Sequence, residues 1–109
     1  MNYKVAVYGL AESQTSLVMS KLPDEYILHL SVTVTDLLVS DAVCCIVNAG
    51  TLDENGVSIL QNYYLDAGDY VSEQIIWIGK NPPSKAFFCY ASFKEMLADF
   101  GSILQNAQK

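Results

Sequence analysis

The residues whose types and spacing could do chemistry are concentrated in Asp41 to Gly56. There an unbroken apolar run, Ala42 to Val47, gives way to Asn48-Ala49-Gly50-Thr51 and then to Asp53-Glu54-Asn55-Gly56. In open α/β sheets the loops at the carboxyl ends of central strands carry chemistry, because the backbone turns outward there and polar groups converge. A carboxylate at position 48 would be a nucleophile; the amide of Asn48 is a far poorer one. Asn48 therefore reads as a hydrogen-bonding residue, either orienting a ligand or tying its own loop together, as Asn does in turns. The other reactive types are scattered. His29 has no acid or cysteine at ligand spacing, the pattern of a surface histidine. Cys44 and Cys45 are neighbours on a strand and face opposite sides, so core thiols are expected rather than a disulfide. Asp53-Glu54 suits a helix start, and Asp66 and Asp69 read as solvated acids. No cluster of acids is visible to hold a hard cation, so neither a metal nor a cofactor is expected.

The elements that must position Asn48 follow from periodicity. Tyr3 to Tyr8 is rich in β-formers and ends at Gly9, a strand passing into a loop. Ala11 to Leu22 has acid and hydroxyl groups at its start and Pro23 beyond its end, which predicts a helix. Tyr26 to Val34 alternates with period two and reads as a strand suited to a sheet edge. Thr35 to Ser40 has room for one or two helical turns. Ala42 to Val47 is a strand buried on both faces. Val57, Leu60, Tyr64 and Ala67 form a helical stripe stopped by Gly68. Ile75 to Gly79 and Ala86 to Ala91 are further strands, joined only by Lys80 to Lys85 with Pro82 and Pro83. A parallel crossover normally contains a helix, so that link is either an extended strap or a hairpin, and the direction of the last strand stays open. Ser92-Phe93-Lys94-Glu95 is a capping box, and Phe93, Leu97, Phe100, Leu104 and Ala107 continue one long closing helix.

This order predicts a single α/β domain over residues 1–109. It is a doubly wound sheet of five mostly parallel strands in the order 2-1-3-4-5, with a short second helix and no fourth. The 51% hydrophobic content excludes a disordered chain. No apolar run is long enough to cross a bilayer, and the first residues show no signal-peptide head, so a cytoplasmic location is expected. Twelve acids against six bases give a net charge of -6, which disfavours nucleic acid as a partner.

Two resemblances bear on function. Val47-Asn48-Ala49-Gly50 with Tyr90 and Lys94 is similar to the Asn-Ala-Gly and Tyr-x-x-x-Lys pair of short-chain dehydrogenases. The glycine-rich dinucleotide loop is replaced by Gly9-Leu-Ala-Glu-Ser-Gln, and 109 residues are too few for cofactor and substrate together. The second resemblance covers nearly the whole chain. Ile46 to Leu60, together with the element order, resembles the third strand, loop and helix of a two-component receiver domain of the response-regulator family, which is flavodoxin-like. Setting Asn55-Gly56 on that family's Asp-Gly pair places Asn48 on the phosphoacceptor position. The chain departs from the pattern elsewhere too. Val7-Tyr8-Gly9 stands where receivers carry metal-binding acids, Gly79 where they carry Ser or Thr, and Tyr90-Ala91 where they carry Lys-Pro.

The resemblance thus implies a degenerate, or pseudo-receiver, module: not an enzyme, not phosphorylated, and acting through protein contacts. The alternative is a small flavodoxin-like domain that binds a ligand in the crevice above the first and third strands, through Tyr8, Gly9, Thr51, Gly79 and Tyr90. If the fourth helix is missing, apolar residues of the last two strands lose cover. Either neighbouring loops fold over them or a second chain does. Trp77, Phe87, Phe88, Tyr90 and Phe93 are then the expected surface for a protein partner or a homodimer.

Overall fold

The computed structural model of the protein describes residues 3–38, 42–67, 74–80 and 88–107. Its strands are β1 (Tyr3–Tyr8), β2 (Tyr26–Leu30), β3 (Cys44–Asn48), β4 (Gln74–Ile78) and β5 (Phe88–Tyr90). They form one sheet in the order 2-1-3-4-5 with every neighbouring pair parallel. The helices are α1 (Glu12–Lys21), α2 (Val34–Leu38), α3 (Glu54–Ala67), α4 (Phe93–Ala98) and α5 (Phe100–Ala107), with one 3₁₀ turn at Ala49–Thr51. Gly68, Asp69, Pro82, Pro83 and Phe87 lie outside the described residues, as do the side chains of Tyr63, Tyr64, Asp66 and Ala67.

The period of two sends alternate strand residues to opposite faces, and each face has its own core. On one side Val5, Val7, Cys44, Ile46, Ile76 and Ile78 pack under Val18 of α1 and under Met96, Phe100, Ile103 and Leu104 of α4 and α5. On the other, Ala6, Cys45, Val47, Ile75 and Trp77 pack under Val34 and Leu37 of α2 and Leu60 of α3. Cys44 and Cys45 are thus split between the two cores as buried thiols that form no disulfide, and burial pushes the Cys44 thiol strongly up.

The register explains how a short link joins two parallel strands. Ile76 lies opposite Phe88 and Ile78 opposite Tyr90. The chain leaving Ile78 therefore re-enters about two residues lower and one strand across, roughly 7 Å by 5 Å. Nine residues can extend to roughly 30 Å, so no helix is required. Among the described residues none stands between β4 and β5.

Two boundaries and one buried face differ from the sequence reading. The strand expected to reach Val34 stops at Leu30, because Thr33 caps α2 instead: its Oγ1 accepts the Asp36 N–H at 3.0 Å and its carbonyl accepts the Leu37 N–H. Val34 is drawn into the helix and buried. The single closing helix is two. Asp99 interrupts it with φ -101° and ψ 5°, and the Asp99 carboxylate is engaged by Tyr90. In α1, Val18 alone is buried, while Leu17 and Met19 face solvent.

Candidate functional site

The carboxyl ends of β1, β3 and β4 meet around Asn48. Its Nδ2 donates to the Gly9 carbonyl at 3.0 Å, and its Oδ1 accepts the Gly50 N–H at 3.2 Å. Thr51 Oγ1 donates to the Asn48 carbonyl at 2.8 Å. Donor and acceptor ends of the amide thus each have a fixed partner, which also settles which way the amide points. Asn48 binds the end of β1 to the end of β3 and closes its own loop.

The turn at 49–51 is seated between two glycines. Gly9 has φ +81°, and a Cβ there would collide with Thr51 Oγ1. Gly79 has φ +142°, and a Cβ there would meet the Ala49 Cβ at 2.8 Å. Both positions need glycine, for backbone conformation and for space alike. The crevice above β1 and β3 is accordingly filled by the chain's own 49–51 segment. After the turn, Asp53 Oδ1 accepts the Gly56 N–H at 2.8 Å and starts α3. Gly56 is buried close to Leu52 and to Val34 of α2, so it serves helix packing, while Asn55 beside it is exposed.

Among the described residues, two of the five expected around a crevice ligand border two different clefts. Gly9 borders a cleft of about 450 Å³ between β1, α1 and the end of β2, with Leu10, Glu12, Thr15, Met19 and Leu30 among its walls. Tyr8 borders another of about 340 Å³ on the opposite side of the sheet, with Thr33, Val34, Asp53, Asn55 and Ile59. Thr51 is part of the 49–51 turn and Gly79 lies against it. Tyr90 donates its hydroxyl to Asp99 Oδ2 at 2.6 Å, and burial together with that carboxylate pushes its pKa up to about 12. Among the described residues no three of the His, Cys, Asp and Glu side chains come together as a metal site.

The expected interface is also dispersed. Trp77 is only 3% exposed, inside the core under α2 and α3, with its indole N–H donating to the Lys80 carbonyl at 3.0 Å. Ile76 is fully buried, so the chain itself covers β4. Tyr90 and Phe93 are half-buried, Phe88 is exposed, and Phe87 lies outside the described residues.

Sequence reasoning missed one polar pair. His29, read as isolated, has its Nε2 3.4 Å from Asp36 Oδ1. Asp36 Oδ2 also accepts the Val32 N–H at 3.0 Å, and this backbone donor, aided by His29, holds the Asp36 carboxyl below the usual carboxylate range. The seven-residue separation places the partners on different elements, where local spacing carries no signal.

Compared with known families and curated proteins, the chain matches no family model and no curated protein. The topology is that of flavodoxin-like α/β domains. No described helix is long and apolar enough to cross a membrane.

Proposed function

We propose that this chain is a receiver-like regulatory module that works through protein contacts and does not accept a phosphoryl group. The observation carrying this reading is the double engagement of Asn48. Its amide is held between the Gly9 carbonyl and the Gly50 N–H, and the receiver resemblance sets this residue on the phosphoacceptor position. Phosphoryl transfer to a side chain needs a free nucleophilic carboxylate, a metal to neutralise the phosphoryl oxygens and donors for the developing charge. An amide already committed to structure supplies none of these. The parallel sheet around it, with a core on each face, is suited to presenting surface to another protein or to a second copy.

The test is incubation with acetyl phosphate and Mg²⁺ followed by intact-protein mass measurement. No adduct is expected on the wild-type chain or on Asn48→Asp, since one carboxylate does not restore the missing metal ligands. A hydrolysable phosphoryl adduct on the wild-type protein would overturn the proposal.

A second reading, a small ligand-binding α/β domain, draws on the two clefts that flank the carboxyl end of β1. Their volumes fall within the range of small-molecule sites. Nucleotide or flavin absorbance that persists through purification would favour it.

A further inference from the structure

The described residues leave six large apolar side chains exposed, and their distribution is uneven. Phe88, 46% exposed, belongs to β5. The other five belong to the opposite end of the sheet: Leu17 and Met19 on α1, Ile27 and Leu30 on β2, and Val32 in the turn that follows. Met19 and Leu30, 59% and 61% exposed, wall the same cleft of about 450 Å³. Val7 and Leu10 complete its apolar lining, and Thr15 and Ser16 add polar groups. Glu12, exposed in the first turn of α1, is the cleft's charged residue. Ser31, which also borders it, has a buried hydroxyl without a hydrogen-bond partner.

We infer that this cleft is a docking site for a partner-protein segment that carries an aliphatic anchor residue next to a lysine or arginine. Met19 and Leu30 supply two apolar walls in water that an inserted Leu or Ile side chain would cover. Glu12 selects the charge of the neighbouring residue, reinforced by a chain that carries -6 overall. A base on the partner meets no cation among the described lining residues, whereas an acid there meets Glu12 directly. The Ser31 hydroxyl, on rotation about χ1, can serve a backbone group of the guest and gain the partner it lacks. This inference rests on the contact role proposed above and gives it a place, at the α1–β2 end rather than over β4 and β5.

The experiment is an amide-resonance titration of the full chain with two synthetic peptides, one alternating Lys and Leu and its counterpart alternating Glu and Leu. Saturable shifts from the basic peptide are expected at residues 9–16, 19, 30 and 31, with little response to the acidic one. Glu12→Gln should weaken the basic peptide roughly twofold to fivefold, as for an exposed ion pair. Glu12→Lys should reverse the preference, and Met19→Ser should weaken binding without regard to charge. Both positions, Glu12 and Met19, are exposed, and Phe88→Ser serves as an unaffected control. Equal response to both peptides, or shifts confined to Phe88–Tyr90, would overturn the site. Shifts from hexylammonium with both peptides silent would make the cleft a small-molecule pocket and equally overturn it. Concentration-dependent shifts without peptide would instead assign the surface to a second copy, again against this inference. A cleft silent to both peptides also overturns this site, whereas the phosphodonor experiment reads only the absence of phosphorylation, so the two failures are told apart.

Discussion

The side-chain amide of Asn48 donates to the carbonyl of Gly9 across two strands of the sheet, at 3.0 Å. Asn48→Ala removes that bond and the one from Gly50, whose N–H can turn to water, so the expected loss is about 1 kcal/mol. In thermal unfolding this is a fall of roughly 4–8 °C.

Asn48→Asp sharpens the point through pH. The new carboxylate oxygen faces the Gly9 carbonyl instead of donating to it, which raises its folded-state pKa above the unfolded value. Stability is then greatest below that unfolded value, where a protonated carboxyl can donate as the amide does, and falls as pH rises through the folded pKa. Denaturant midpoints at pH 4 and pH 7 should differ in this direction for the variant relative to wild type. An unchanged difference would mean that the Gly9 contact carries no weight.

Gly9→Ala should cost about 1–2 kcal/mol from backbone conformation alone, with the encounter with Thr51 Oγ1 added to it. Combining it with Thr51→Ala should return part of the loss and leave the conformational part, so the double-mutant cycle shows coupling. Gly101→Ala is the contrasting case. It sits in α5 with nothing within 4 Å of the added Cβ, and should stabilise by about 0.5–1 kcal/mol.

Tyr90 should titrate at about 12, seen as the phenolate absorbance lost in Tyr90→Phe across an alkaline titration. Because its folded pKa is raised, its contribution to stability is full below about 10 and is lost as pH rises toward 12. Asp99→Asn should lower the midpoint only partway, since burial is the larger cause and the carboxylate the smaller.

Asp36 has the opposite sign. Its folded pKa is depressed by the Val32 N–H and by His29, so its contribution is present above the ordinary carboxylate value of 3.8 and disappears as pH falls through the folded pKa. Asp36→Asn should flatten the acid limb of the stability profile. A profile identical to wild type would show that the β2–α2 turn holds without the carboxylate.

The elements were largely legible in the chain, because hydrophobic period is a local property. The unbroken Ala42 to Val47 run announced a strand covered on both faces, and Ser92 announced the start of α4 by its own cap, Oγ to the Glu95 N–H at 3.3 Å. Legibility failed where two local signals competed. At Thr33 and Val34 the alternation continued while a helix cap was already in place, and the cap prevailed because it satisfied Asp36 and Leu37 backbone donors. At Asp99 the apolar stripe ran on, yet the backbone leaves helical geometry there, at a residue whose carboxylate accepts from Tyr90, nine residues earlier on β5.

The type of fold and the lack of a nucleophile at position 48 were properties of the sequence by itself, since they depend on periodicity and on which functional group a residue carries. Three things belonged to the tertiary structure alone. Strand register set β5 parallel to β4 and made a short link sufficient. The approach of Thr51 to Gly9 and of Ala49 to Gly79 filled the crevice where a ligand was expected. The exposure of Met19 and Leu30 beside Glu12 moved the exposed apolar surface to the α1–β2 end. Each depends on residues far apart in the chain meeting in space, and no local pattern encodes such a meeting.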